Sequence, residues 1–219
     1  MKLPAIKRSI ECSLGRIAKH PFISDAHKKR LSKTQVYTWI MCAGRESRSF
    51  PNILEHVTDC CTNSTIRQIL TKNLEDENGN GNPSEAHYTH YLNLLDEIGI
   101  PHSEFASYKE GAGLTYALRV ANHVMIGENE SRALGYLLVN EAMTPRIYKA
   151  IKTTVLYHHP DLQTHFFDLH VESDRKHVRA LYAGIQASST IQTRDLLFGI
   201  EIGERSMASL LDEAYGVFS

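Results

Sequence analysis

The sequence predicts an all-α fold, with about eight helices in a single domain that spans residues 1–219. Apolar residues recur at intervals of three and four positions in nearly every segment, which is the spacing that places them on one face of a helix. No segment alternates apolar and polar residues over the length of a strand. The breaks between segments are short and contain Gly, Pro, Asn and Ser, and none has the length of an interdomain linker.

Helix-terminating residues divide the first half of the chain. Pro21 ends the first helix, and Ser32 with Gln35 forms a capping box at the start of the second. Pro51 is expected to open a new helix, because proline lacks the amide hydrogen that an interior position would donate. The Asn/Gly-rich break at 78–82 ends the fourth. The predicted helices cover about 5–18, 32–48, 51–61, 63–77 and 83–98.

The second half of the chain is also predicted to be helical. Gly99 is placed as the C-terminal cap of the helix before it. Asn129 or Ser131 begins a long helix that continues through Pro145, and a turn at 158–161 separates this helix from the next. The predicted helices cover about 114–126, 129–157, 162–186 and 188–211.

Composition argues against several classes of protein. The formal net charge is −1 and no basic block is present, so binding to nucleic acid or to an anionic membrane is not expected. No apolar run approaches the roughly 20 residues that span a bilayer, and the charged N-terminus lacks the apolar core of a signal peptide. The cysteines have no metal-binding or disulfide spacing, which indicates a reduced, cytoplasmic setting. They are Cys12, Cys42, Cys60 and Cys61.

The most informative stretch runs from His170 to His177. At helical pitch, Asp174 and His177 lie within about 40° of His170, so the three side chains share one face. Phe167 and Leu181 extend that face, which is therefore the buried one. Buried ionisable groups are costly unless they are paired or bound to a charged group. Two imidazoles and a carboxylate on adjacent turns suit a divalent transition metal; the alternative is an Asp/His hydrogen-bonded pair in a helical core.

Other polar residues on apolar faces could supply ligands from further helices. Glu141 lies within about 60° of its apolar neighbours and points inward; the alternative is a pairing with a buried Arg or Tyr. His87 also shares its side of a helix with apolar residues, with His90 as a rival on the flank of the same face. Glu77 precedes the Asn/Gly break that leads to His87, and by itself it has the features of a solvated carboxylate at a helix end.

The candidate set contains three carboxylates and three imidazoles from four predicted helices, namely Glu77, Glu141, Asp174, His87, His170 and His177. Helical proteins hold pairs of iron or manganese ions with carboxylates and histidines that project into a bundle. In this set, Asp174-x2-His177 alone has the spacing of the ferritin-like Glu-x2-His pairs, so the sequence is not ferritin-like.

The order and spacing of these residues resemble those of the heme-oxygenase-like diiron oxidases and oxygenases. The resemblance rests on the run 73–79 that contains Glu77, on His87 ten residues later, on Asn140-Glu141 with Pro145 beyond it, and on His170-x3-Asp174-x2-His177. The dipeptides Pro21-Phe22 and Phe50-Pro51 also have counterparts in that family. The resemblance covers nearly the whole chain.

This resemblance implies a heme-oxygenase-like bundle of seven to eight helices without heme. It also implies a non-heme site for two Fe(II) ions, with O2 as cosubstrate. By position, the expected ligands are Glu77, His87, Glu141, His170, Asp174 and His177, with Glu141 as the expected bridge between the ions. Which histidine serves which iron stays open.

The chemistries of the resembled family include N-oxygenation of amines, oxidative C–C cleavage of fatty or amino acids, and conversion of an amino acid to a nitrile. The Asn/Gly insert and the run 86–91 are most similar to a cyanobacterial branch that includes a nitrile-forming enzyme acting on a tryptophan derivative. Another branch makes an aminobenzoate from its own tyrosine with a nearby lysine. Ile151 stands at that position here, with Lys152 beside it, which argues against that branch.

The expected function is oxidation of an amino acid at its amine or the adjacent carbon, in a pocket walled by Phe, Tyr, Leu and Met side chains. Nitrile formation is the specific hypothesis. Two other classes stay open: an iron-storage or sensor protein, and a cofactor-free thiaminase-like hydrolase with Cys42 as nucleophile. The expected partner is a small amino-acid-like molecule, while an external electron donor and a homodimer are left open. The candidate counter-charges for a substrate carboxylate are Arg119, Arg146 and Arg194.

Overall fold

The part of the chain described by the computed structural model, residues 2–125, 127 and 129–217, contains ten α-helices and no strand. A short 3-10 segment, Pro83–Glu85, precedes the fifth helix. The all-α prediction is confirmed, and the predicted number of seven to eight helices is too low. The helices are α1 (Lys2–Ala18), α2 (Pro21–His27), α3 (Lys33–Cys60), α4 (Ser64–Glu77), α5 (His87–Ile98), α6 (His102–Ser107), α7 (Ala112–Met125), α8 (Glu130–His158), α9 (His165–Ala187) and α10 (Thr193–Tyr215).

Two short helices, α2 and α6, were not predicted, whereas two of the predicted segments form a single helix, α3. Pro21 was expected to end a helix, but it also begins α2. The first residue of a helix does not use its amide hydrogen within the helix, so proline is tolerated there. The His20 side chain caps α2 by accepting a hydrogen bond from the Phe22 amide. Neither helix is long enough to display the apolar periodicity that reveals a helix in a sequence.

The segments predicted on either side of Pro51 form one continuous helix, α3. The prediction of a break is wrong because tertiary packing outweighs the lost hydrogen bond of one proline. Trp39 before Pro51 and Leu54 after it are both buried, so the two halves share one core. The Ser49 hydroxyl donates to the carbonyl oxygens of Arg45 and Glu46 in the turn before the proline.

Other helix boundaries differ by smaller amounts. The segment predicted to start at Pro83 forms the 3-10 turn first, and α5 begins at His87. The last helix begins at Thr193 rather than near Ser188. Gly99 caps α5 in the left-handed conformation with φ 77°, as expected. The predicted end of α7 at Ile126 lies outside the described residues.

The long helix α8 is the centre of the fold, with α9 and α10 packed along it. Gly135 on α8 faces Gly199 on α10. A Cβ on Gly135 would collide with the Leu196 carbonyl oxygen, and one on Gly199 would collide with that of Arg132. These glycines therefore allow the two backbones to approach closely. Within the described residues, no helix is long and apolar enough to cross a membrane.

We expect Gly135→Ala to destabilise the protein by about 1–3 kcal/mol or more, because the added methyl group meets backbone atoms that cannot rotate away. Gly15→Ala is the matched control, since its Cβ would have no neighbour within 4 Å and alanine favours a helix. Denaturant unfolding of both variants measures the difference. Equal stabilities would mean that the α8–α10 contact adjusts easily.

Candidate metal centre

The six residues predicted as ligands lie on four helices and are all buried. Glu77 is the last residue of α4 and His87 the first of α5, while Glu141 lies in the middle of α8. His170, Asp174 and His177 follow one another along α9. The exposed fraction of each residue is between 2 and 7 %. Glu77 is therefore not the solvated helix-end carboxylate that its position by itself suggested.

Their side chains converge on one region between α4, α5, α8 and α9. Glu77 Oε1 is 3.1 Å from His87 Nδ1, and Glu141 Oε2 is 3.2 Å from His177 Nδ1. Glu141, Asp174 and His177 each offer a ligand atom within 4.8 Å of the other two. The ring centroids of His87 and His170 are 4.6 Å apart. The structure therefore brings the whole predicted set together, and its role in binding metal stays a prediction.

The Asn/Gly loop between α4 and α5 makes the Glu77–His87 contact possible. Gly79 has φ +76°, and a Cβ there would collide with the backbone at Glu85 and Ala86. Asn80 also adopts a positive φ of 52°, which asparagine tolerates better than most residues. The chain reverses tightly at these positions, so that residues ten apart in sequence face each other.

Three carboxylates are buried close together at this centre. Burial raises the pKa of Asp174 well above its ordinary value, and the nearby carboxylates of Glu141 and Glu77 raise it further. Ser173 donates a hydrogen bond of 3.2 Å to Asp174 and opposes this shift in part. Three buried carboxylates so close together favour a bound cation.

His170 is neutral near pH 7, which is the form of histidine that binds a metal. Burial, followed by the proximity of His87, lowers the pKa of His170 to about 4. Its Nδ1 lies 2.8 Å from the Phe166 carbonyl oxygen, and a bond to a carbonyl requires the proton to be on Nδ1. The lone pair of Nε2 is then free, which is the arrangement seen when a histidine binds a metal.

His87 has a buried nitrogen without a hydrogen bond. Its Nδ1 is 3.1 Å from Glu77, yet the angles are unsuitable for a hydrogen bond and the atom has no other partner. Buried polar atoms in proteins are nearly always satisfied. A metal ion between this nitrogen and the Glu77 carboxylate would satisfy both.

His177 has a carboxylate at each ring nitrogen. Burial disfavours its charged form, but hydrogen bonds to Glu141 and Asp76 outweigh burial and raise the pKa of His177 to about 9. Asp76 Oδ2 lies 3.1 Å from Nε2. If Nδ1 binds a metal, Asp76 can keep its hydrogen bond to Nε2 and orient the ring, as outer carboxylates do for metal-bound histidines.

The sequence analysis missed two residues of this centre, Asp76 and Asn73. Asn73 Nδ2 donates a hydrogen bond of 2.7 Å to Glu141 Oε1. Asn73, Asp76 and Glu77 are spaced three and four residues apart on α4, which places them on one face. This spacing was the available signal, although a run of adjacent charged residues such as Glu75-Asp76-Glu77 is usually solvated.

His90, the rival of His87, belongs to a different cluster. Its Nε2 is 3.5 Å from Glu85, and its ring centroid is 4.3 Å from that of His165. Glu85 and His165 are exposed. These three residues also have ligand atoms within 4.8 Å of one another, but they lie towards the surface.

A cavity of about 110 Å³ adjoins the centre and is bordered by Glu77, Glu141, His170 and Asp174. One water molecule needs roughly 10–15 Å³ on this measure, so the cavity admits a small organic molecule. Its other walls are mostly apolar and aromatic, as predicted. They include Phe50, Ile53, Leu118, Met125, Tyr136, Leu137, Tyr148 and Met207.

Comparison with protein families gives a match over most of the chain. Residues 47–205 match the model of a family described as iron-containing redox enzyme. No curated protein matches the sequence.

Several solved structures are similar over more than nine-tenths of their length. A CADD-like protein of unknown function from Nostoc punctiforme is 16% identical, with a TM-score of 0.82 and 100% of both chains covered. A domain of unknown function with a heme oxygenase-like fold from Shewanella denitrificans is 15% identical, with a TM-score of 0.80 over 100% of this chain and 94% of that one. A TenA homolog from Pseudomonas syringae is 10% identical, with a TM-score of 0.73 over 97% and 91%. At these identities the likeness shows the fold, which is heme oxygenase-like.

Proposed function

The chain belongs to the family of iron-containing redox enzymes, and from that premise we propose that it is a non-heme diiron oxidase or oxygenase acting on a small amine-bearing molecule. The observation that carries this proposal is the group of three carboxylates and three imidazoles buried beside a cavity. We propose Glu77, His87, Glu141, His170, Asp174 and His177 as the ligands. When bound, two Fe(II) ions would supply the electrons and the open coordination positions that O2 activation needs.

Neighbouring residues hold the side chains of three proposed ligands in place. Phe166 fixes the His170 ring through its carbonyl oxygen, and Asn73 holds one oxygen of Glu141. Asp76 can retain the second proton of His177. Most of the cavity wall is apolar, and an apolar surrounding strengthens the electrostatic interactions of the charged groups beside it.

An amine oxygenation balances with O2 and an external reductant. The substrate R–NH2, O2, two electrons and two protons give R–NHOH and water, so a two-electron donor such as a reduced flavin or two reduced iron–sulfur proteins is needed. The N–O bond forms as the O–O bond breaks, and the second oxygen atom leaves as water. Nitrile formation from a tryptophan derivative stays a more specific hypothesis, which product analysis would test.

The cavity beside the candidate ligands favours an enzyme over an iron store, because storage does not require a substrate site. The thiaminase-like alternative has less support. Cys42 is buried and does not line the cavity. Burial and the neighbouring Glu213 raise the pKa of its thiol far above the ordinary value, so the nucleophilic thiolate would be scarce.

We expect the Fe(II)-loaded protein to consume O2 faster when a small primary amine or amino acid is present than when it is absent. An oxygen electrode measures the rate of O2 consumption, and stopped-flow mixing measures its early phase. Amino acids and fatty acids are tested in parallel as substrates. Acceleration by a long-chain fatty acid and by no amine would show that the proposed substrate class is wrong. O2 uptake that no organic molecule affects would favour a storage protein.

A further inference from the structure

The cavity wall contains one carboxylate that the proposed metal ligands do not include, Glu46 on α3. Its backbone carbonyl accepts a hydrogen bond from Ser49. Among the described residues, however, no side chain or backbone group hydrogen-bonds or forms an ion pair with its carboxylate. Glu46 is half-buried and lies among apolar and phenolic groups rather than in bulk solvent. Partial burial removes part of the hydration of a carboxylate, and a positively charged partner would offset that loss.

The charges around the cavity cannot supply that partner. Among the described residues, no lysine or arginine lines it. Arg119, Arg146 and Arg194, the candidate counter-charges, are all exposed. The titratable groups that face Glu46 or border the same cavity are acidic, phenolic, thiol or neutral imidazole groups. They are Cys42, Glu77, Tyr136, Glu141, Tyr148, His170 and Asp174.

The two tyrosines add to an environment suited to a cation. Tyr136 and Tyr148 line the cavity with Glu46, and their electron-rich ring faces attract positive charge. Burial raises the pKa of both phenols well above the ordinary value, so they stay neutral. The Tyr136 hydroxyl is paired with Ser206 at 3.0 Å, which holds the ring in place.

We propose that Glu46 is the substrate-anchoring residue of this cavity. It binds the protonated amine of the substrate, R–NH3+, and its carboxylate takes up one proton when the neutral R–NH2 reacts. This inference rests on the proposed function and makes it more specific. The sequence analysis expected an arginine to bind the carboxylate of the substrate, whereas here a carboxylate of the protein binds the amine of the substrate. The substrate end that the protein recognises by charge is then its ammonium group. A substrate carboxylate, if there is one, has no protein cation in the cavity to bind.

Binding of alkylamines tests the inference in the anaerobic Fe(II)-loaded protein. The probes are primary alkylamines of four to eight carbons and the carboxylates of equal length, and the readouts are thermal shift and calorimetry. We expect the amines to bind. Glu46→Gln, which keeps the shape but removes the charge, should weaken amine binding roughly 10- to 100-fold, as expected for loss of a charge-assisted hydrogen bond. Glu46→Asp should retain part of the affinity.

Glu55→Gln is the matched control, because Glu55 lies exposed on the same helix and should bind amines as the wild type does. The inference is overturned if Glu46→Gln and the wild type bind amines equally, or if carboxylates bind better than amines.

A second readout tests whether Glu46 truly lacks an internal partner. Burial raises the pKa of Glu46 to about 7 in the metal-free protein, whereas the unfolded chain releases this proton near the ordinary value of 4.5. Between pH 4.5 and about 7, the folded state therefore keeps a proton on Glu46 that the unfolded state releases. The free energy of unfolding of the wild type falls as the pH rises through this range. Glu46→Gln should raise Tm at pH values above about 7 and leave it unchanged below the ordinary value. A lower Tm for the variant at high pH would reveal an internal partner and contradict the inference.

Metal content measured on the same samples separates the two proposals. If iron binds but amine binding does not depend on Glu46, the subsite is wrong while the proposed function stands. If amine binding depends on Glu46 but the protein binds no iron, the amine subsite stands and the diiron function fails.

Discussion

Asp174→Asn is expected to reduce O2-dependent turnover by at least roughly 100-fold. Loss of a residue that only orients a metal ligand costs up to about 100-fold in activity, and loss of a ligand itself should cost at least as much. At the same time, the variant should make the metal-free protein more stable. Burial and repulsion from Glu141 and Glu77 raise the pKa of Asp174, so a neutral amide in its place relieves an unfavourable interaction. Functional sites often reduce stability in this way. Turnover by the loaded protein and thermal unfolding of the metal-free protein measure both effects.

The combination of lost turnover and gained stability distinguishes a metal centre from a hydrogen-bonded core. If Asp174 and His177 formed only a structural network, both Asp174→Asn and His177→Ala would destabilise the protein. Glu172→Gln is the matched control on the same helix, since Glu172 is exposed and pairs with Lys176 at 2.8 Å. It should change neither quantity. Loss of folded structure in both site variants would favour the structural alternative.

Anaerobic Fe(II) loading is expected to give close to two iron ions per chain and to raise Tm by several degrees. At a free iron concentration of about 100 times Kd, binding stabilises the folded state by about 2.7 kcal/mol. For a chain of this size, each kcal/mol raises Tm by about 2–4 °C. His87→Ala should bind at most one ion, because it removes a buried nitrogen that lacks a hydrogen bond and lies 3.1 Å from the Glu77 carboxylate. Elemental analysis after desalting measures the stoichiometry.

The surface cluster of Glu85, His90 and His165 provides the control for this measurement. His165→Ala removes an exposed ligand atom from that cluster, and it should retain the same iron content as the wild type. A drop in iron content for His165→Ala alone would place the metal at the surface. One tightly held zinc ion, or no metal after reconstitution, would contradict the diiron assignment.

Periodicity predicted the inward positions of five candidate ligands, all except Glu77, because each of the five lies on an otherwise apolar helix face. Glu141 and the three α9 residues are buried as predicted, since the direction of a side chain on a long helix follows from its position in the helix. Glu77 was predicted less well. Its burial depends on the reversal at Gly79, which the sequence indicates as a break but whose direction depends on the packing of α5 against α9.

Glu46 shows what the tertiary structure alone decided. In the sequence it stands in the run Arg45-Glu46-Ser47-Arg48 before Pro51, which is typical of a solvated helix end. The structure continues α3 through Pro51 and packs it beside α8, so that Glu46 borders the cavity. The sequence by itself determined the helical class and the inward positions of five of the six candidate ligands, because both follow from local periodicity. Which charged group lines the cavity was decided by the packing of distant helices, because that packing outweighed the local tendency of proline to end a helix.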